Sequence, residues 1–297
     1  MPPQTTVLPG IALSSPRLAT KMWDLPANNL IKVAPVRSRQ DIADFIDLPK
    51  RLYAADPYWV TPLDLQVKQF LSTNHPFYQH GEAEAFVARR NGRVVGRIVV
   101  SDDSRYNQAH DTNLGCFGLL ETNNDVRTCR KLIDTASKWL QARGRGELMG
   151  PIDYSTNYPT GLLVSGFKTP PSVMMNHQPE YYQYLLEACG LGKAKDLYAW
   201  WFDSQNQMDV GWQRRVERLT ARYSVKVRSI SFKNFDAEIA RCKAIYNESF
   251  EENWGFVRMT AAEFEHLASE VKQMRTPDLI QIAEVDGQPV GPVSYTH

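Results

Sequence analysis

Phe86-Val-Ala-Arg-Arg-Asn-Gly-Arg-Val-Val-Gly96 alternates side-chain character on either side of Asn91-Gly92. That residue pair favours a type I′ turn, in which both central residues need a positive φ, so the stretch predicts a β-hairpin. Gln281-Ile-Ala-Glu-Val-Asp-Gly-Gln-Pro-Val-Gly291 repeats the layout with Asp286-Gly287 at its turn. Ala88 and Ala283, Gly92 and Gly287, Val95 and Val290, and Gly96 and Gly291 each lie 195 positions apart. Upstream, Ile31-Lys-Val33 opens a strand, and Val225-Lys-Val227 opens another 194 positions on. Each is followed by apolar residues at helical spacing, over about Arg39–Tyr53 and about Asp236–Phe250. Two elements recurring at nearly one offset point to a tandem duplication.

Working outward, the first copy reads strand Ile31–Val36, helix Arg39–Tyr53, an aromatic loop Asp56-Pro-Tyr-Trp-Val-Thr-Pro62, a short helix to Leu71, the hairpin and strand Gly115–Glu121. A helix over Asp125–Gln141 follows, because Val126, Cys129, Leu132, Ile133, Ala136, Trp139 and Leu140 mark one apolar face. Asn123 or Asn124 is expected to cap it. Strand Glu147–Ile152, a polar loop, helix Pro179–Cys189 and strand Leu197–Phe202 complete the unit. This is a mixed α/β (α+β) arrangement, with an antiparallel meander at one end of the sheet and helices on its faces.

Residues 1–29 carry several prolines and one acidic residue, Asp24, and are expected to be a disordered extension. The first domain is placed at 30–205, a linker helix at 206–223 and the start of a second domain at 224–297. A first copy of roughly 175 residues would carry the second to about residue 400. The chain stops at 297, so the second copy is expected to be incomplete, and the closing Ser294-Tyr-Thr-His297 is read as foreign to it.

The 297 residues leave room for about two domains. With 43% hydrophobic and 11% aromatic residues the chain buries a sizeable core. A net charge of +1 argues against a nucleic-acid partner bound through a bulk basic surface. No apolar run reaches the ~18–20 residues that span a bilayer, and no secretory signal core is present, so a cytoplasmic protein without a membrane partner is expected. Cys116, Cys129, Cys189 and Cys242 form no C-x-x-C pair and read as buried free thiols. No two of the six histidines have metal-ligand spacing, so no metal is expected.

The order of elements resembles the GNAT (N-acetyltransferase) superfamily. The resemblance is carried by Ile31–Tyr53, by Phe86–Val100, and by Pro179-Glu-Tyr-Tyr-Gln-Tyr-Leu-Leu-Glu-Ala-Cys-Gly190. Gly150-Pro-Ile-Asp-Tyr-Ser-Thr-Asn-Tyr-Pro-Thr-Gly-Leu-Leu-Val-Ser-Gly-Phe-Lys-Thr-Pro-Pro171, with Met174-Met175 and Tyr181-Tyr182, is similar to a bacterial group of double GNAT-like proteins. The resemblance implies acyl transfer from acetyl-coenzyme A, as donor substrate, to a small-molecule or peptide amine. It reserves the junction between the fourth strand and its helix for the pyrophosphate, which here is Glu121-Thr-Asn-Asn-Asp125 without a glycine. Asn123 and Asn124 are the donor-binding candidates there. Gln141-Ala-Arg-Gly-Arg-Gly146 matches the glycine signature literally but falls at the negative end of a helix, where Gly144 reads as a helix stop.

Acyl transfer needs a base for the amine and an acid for the thiolate. The resemblance implies Glu121 for the first and Tyr182 for the second, against a solvent-facing carboxylate and aromatic packing as the alternatives. Ser155, Asn157, Tyr158, Asn176, His177 and Tyr181 are expected to line a polar pocket or else to satisfy turn backbones. Trp254, beside Glu248, Glu251 and Glu252, suits a cationic amine or is an ordinary solvated helix end. Three readings stay open, differing in whether the protein is an enzyme. They are a coenzyme A-dependent N-acyltransferase with its pocket near the cleft between the halves, a non-catalytic ligand-binding or scaffold protein, and a transferase using a large carrier such as aminoacyl-tRNA. The acceptor and the oligomeric state are not legible.

Overall fold

A computed structural model describes residues 7–14, 30–172, 175–200, 209–273 and 280–294. They fall into a first compact unit, Thr6–Trp200, and a second that holds everything described after residue 200.

In the first unit β1 (Val7–Ser14) precedes β2 (Ile31–Pro35), α1 (Arg39–Leu52), α2 (Asp64–Phe70), β3 (Gly81–Arg90), β4 (Arg93–Asp103), α3 (Ser104–His110), β5 (Leu114–Thr122) and α4 (Val126–Gln141). Then come β6 (Glu147–Gly150), β7 (Leu162–Leu163), α5 (Tyr181–Ala188) and β8 (Gly192–Trp200). The sheet order is β2-β3-β4-β5-β6-β1-β7, with β8 also on β1. All pairs are antiparallel except β5 and β6. The expected strand–helix, hairpin, strand–helix–strand, helix–strand order is present. Two expectations need correction. Val7–Ser14, assigned to a disordered extension, forms a strand whose backbone pairs with β8, β6 and β7. Asp125 caps α4 in place of Asn123 or Asn124, its side chain accepting from the Arg127 amide.

The sheet has two apolar faces. Phe86, Ala88, Ile98, Val100 and Phe117 pack with α4 and α5. Val87, Val94 and Val99 pack with Phe45 and Leu48 of α1. This is the period-two alternation of strands buried on both sides. α4 buries Cys129, Leu132, Ile133, Ala136, Trp139 and Leu140, the face read from its spacing. It ends where Gly144, at φ +77, lets the Arg145 amide reach the Leu140 carbonyl, the closure of a Schellman turn.

The second unit contains α6 (Val210–Arg222), β9 (Lys226–Ser229), α7 (Phe235–Ser249), α8 (Ala261–Gln273), β10 (Ile280–Val285) and β11 (Gln288–Ser294). Its sheet has the order β11-β10-β9, over a core of Ile230, Phe235, Cys242, Ala268 and Ile282. The two hairpins share more than their turns, where Asn91 and Asp286 both have φ 51. Register shifts after Ala88 in one and after Ala283 in the other, leaving Val95 and Val290 as the extra residues. The four cysteines are buried and free.

Candidate active site

The site grows from one irregularity in β5. Phe117 and Leu120 both belong to the α4 and α5 side of the core although they are three positions apart. Register slips between Arg97 and Val99, and Leu119 takes a φ of 45°. A single bulged residue shifts the alternation by one and turns Glu121 to the α1 face, directly opposite Arg97. Asp153 holds the bulge by accepting from the Leu119 amide at 2.8 Å.

Near the same point β5 and β6 part. Their ladder runs only from Leu114/Glu147 to Cys116/Met149, while β5 continues to Thr122. The freed edge of β5 is taken by two phenols of α5. Tyr182 accepts from the Thr122 amide at 2.9 Å, and Tyr181 donates to the Thr122 carbonyl at 2.9 Å.

Glu121 Oε2 accepts from Tyr53, at the end of α1, at 2.6 Å and from Tyr182 at 2.7 Å. Helices packed on opposite faces of the sheet thus each place a hydroxyl on one carboxylate oxygen. The other oxygen, Oε1, faces Arg97 Nη2 at 3.9 Å. Arg97 is buried, donates to the Phe45 carbonyl at 2.7 Å and lies 4.5 Å from the Phe45 ring centroid. Burial pushes the Glu121 carboxyl above its usual range, against the pull of Arg97 and the two hydroxyls. The Asp153 carboxyl is pushed up to about 6, again chiefly by burial.

His177 is buried, with Nε2 2.8 Å from Asp56 Oδ2, and its ring meets Tyr53 edge-on at 6.4 Å. Burial works against the Asp56 charge, but the bonds from His177 and the Tyr58 amide hold its carboxyl below the usual range. Trp59 stacks on Tyr53 at 5.0 Å. The aromatic loop after α1 therefore belongs to the Glu121 surroundings.

Of the residues expected from sequence, Glu121, Tyr181, Tyr182 and His177 come together. Ser155, Asn157 and Tyr158 sit in the turn after β6, where the Ser155 hydroxyl accepts from the Asn157 amide at 3.3 Å. Tyr158 packs on Phe70, His75 and Tyr154. Asn176 donates to the Gly161 carbonyl at 2.8 Å, fixing the chain ahead of His177. Trp254 belongs to the second unit, where its side chain is exposed. Tyr53, Asp56, Arg97 and Asp153 were not singled out, because each reaches the site through a fold contact that leaves no local spacing.

The junction expected to seat a pyrophosphate does not fit one. Asp125 accepts from the Arg127 amide at 2.9 Å and pairs with Arg90 and Arg127, so a carboxylate already fills the N-terminal end of α4. The Asn123 amide is spent on the Val95 carbonyl at 3.0 Å, and Asn124 is exposed. Among the described residues no group of three or more metal-ligating side chains occurs. No helix among them is long and apolar enough to cross a membrane.

The described residues of the first unit form a mixed α/β fold that places a carboxylate where one sheet edge opens. No protein-family model matches the chain. It is 37% identical over 267 residues to the bacterial ceramide synthase of Caulobacter vibrioides, covering 89% of this chain and 69% of that protein. The chain therefore belongs to the family of that synthase. It is also 32% identical over 254 residues to protein YghO of Escherichia coli, covering 85% of this chain and 64% of YghO. The chain thus spans about two thirds of the length of these relatives.

Similar solved structures include a tandem GNAT protein of the clavulanic acid biosynthesis pathway, 15% identical, covering 89% of this chain and 73% of that one at a TM-score of 0.47. Another is the GCN5-related glucosamine N-acetyltransferase region of a fungal GH3 β-N-acetylglucosaminidase, 14% identical, covering 92% of this chain and 28% of that one at a TM-score of 0.45.

Proposed function

We propose that the chain carries the active centre of an N-acyltransferase that moves an acyl group from a thioester to the amine of a long-chain amino alcohol, with Glu121 as the proton-transfer group. The supporting observation is the Glu121 carboxylate, held by Tyr53 and Tyr182 where β5 and β6 part. Ceramide is the amide of a long-chain amino alcohol, so the family relative supports this acceptor class. The tandem origin of the two hairpins is part of the same reading.

The amine nitrogen attacks the thioester carbonyl, and Glu121 takes the proton that the nitrogen must lose. When the carbon–sulfur bond breaks, the same proton passes from Glu121 to the thiolate. A carboxyl raised by burial suits both steps better than one of ordinary acidity. Tyr182 was expected to be the acid, but its hydroxyl proton is committed to Glu121 and its oxygen to the Thr122 amide. We assign Tyr182 and Tyr53 to positioning the carboxylate. The donor is either acyl-coenzyme A, seated without the usual helix end, or an acyl group on a carrier protein.

The test incubates the protein with a long-chain 2-amino-1,3-diol and, separately, acetyl-, palmitoyl- and carrier-linked thioesters, reading the amide by mass spectrometry. Amide that disappears in Glu121→Gln supports the reading. Acetyl transfer alone narrows it to an acetyltransferase. No amide with any donor leaves the non-catalytic ligand-binding role, which the self-capped helix end favours.

A further inference from the structure

One helix of the second unit is left out of its core. α6 buries no residue. Trp212, Val216, Leu219 and Tyr223, at alternating steps of four, three and four, share one stripe along the helix. Each is between 43 and 57% exposed. Arg215 and Arg222 flank the stripe, and Arg214 and Arg218 stand further round the helix, against its one acidic side chain, Glu217. Arg215 lies 5.4 Å from the Trp212 ring centroid and Arg222 lies 5.3 Å from that of Tyr223.

We propose that α6 is an interfacial helix that docks on an anionic lipid surface, its apolar stripe at the acyl boundary and its arginines against the headgroup phosphates. Charge selects this occupant. A second copy would meet the stripe with Arg215 and Arg222 on one border and Gln213 and Thr220 on the other, so self-pairing offers no opposite charge. An anionic bilayer offers it along the whole helix, and aromatic residues at both ends of the stripe suit the headgroup level. The expectation of no membrane partner rested on the lack of a spanning segment, which a helix lying on a surface does not need. The proposal stands apart from the N-acyltransferase reading and is tested without an activity assay.

The experiment is co-sedimentation of the protein with vesicles of phosphatidylcholine alone and with added phosphatidylglycerol, at low and high salt. Binding is expected only to the anionic vesicles, falling as salt rises. The triple variant Arg215→Ala, Arg218→Ala, Arg222→Ala should partition about a hundred-fold more weakly, three charges near an anionic surface each contributing several-fold. Leu219→Glu should abolish binding. Because α6 buries nothing, circular dichroism should show both variants folded. Equal binding to neutral vesicles, binding that survives both variants, no binding at all, or a dimer in sedimentation velocity that Leu219→Glu dissolves would each overturn the proposal.

Discussion

Glu121 meets its partners through three side chains that come from three places in the chain. Tyr53 and Tyr182 hold one of its oxygens and Arg97 faces the other. Glu121→Gln keeps the volume and loses the proton acceptor, so turnover should fall by about 10²–10⁴ while thioester binding changes little. Single-turnover and binding measurements separate the two. Tyr53→Phe removes a hydroxyl that lowers the Glu121 pKa. The carboxyl then rises further, and since a base must be ionised, the acid limb of the kcat/KM profile should move to higher pH by up to roughly one unit. Asp153 gives a stability counterpart. Its carboxyl, pushed up to about 6, holds a proton in the folded state that the unfolded chain releases at lower pH. Stability therefore falls as pH rises from about 4 to 6. Asp153→Asn keeps an oxygen for the Leu119 amide and should stabilise by about 3 kcal/mol at pH 7.5, with almost no effect at pH 4, in urea melts.

At the scale of elements, β5 decides the site through its bulge and its parting from β6. Gly118 permits both, since a Cβ there would overlap the Asp153 carboxylate and lie 2.5 Å from the Ile152 carbonyl. Gly118→Ala should cost about 1–3 kcal/mol by overpacking and should lower turnover, because the strain falls on the turn that aims Glu121. Gly92→Ala is the control. Its φ of +78 is strained for alanine but its surroundings are open, so about 1 kcal/mol of stability should be lost with turnover unchanged. Thermal melts and assays of both variants check the contrast. The hairpins, α1 and the apolar face of α4 were legible in the sequence, because each rests on periodicity or turn chemistry within about twenty residues. The bulge was not. Phe117-Gly-Leu-Leu-Glu121 reads as an unbroken strand, and only pairing with β4 shows where the alternation slips.

The two units differ in what holds them. The first has an apolar core on each face of a large sheet, whereas the second closes a three-stranded sheet over a few buried side chains. Small cores with short sheets lie at the low end of local stability. Amides of residues 225–273 and 280–294 should therefore exchange with deuterium faster than those of β3, β4 and β5. Equal protection throughout, read by mass spectrometry, would contradict this.

Local chemistry in the sequence determined that the chain would build a hairpin on Asn91-Gly92, a helix over 126–141 with a stop at Gly144, and a second hairpin of the same pattern. Glu121 and Tyr182 stood out only through the resemblance to a known family, and His177 through its place just ahead of the tyrosine helix. Tertiary structure alone decided that Tyr53 and Tyr182 share one oxygen of Glu121, that Arg97 stands opposite, and that Asp56 holds His177. It also decided that Asp125 fills the helix end where a phosphate seat was expected. The reason is the range of the forces involved. Turn propensity and amphipathic periodicity act between near neighbours in the chain. A buried carboxylate takes its partners from whichever strands and helices fold against it, here 61 and 68 positions away.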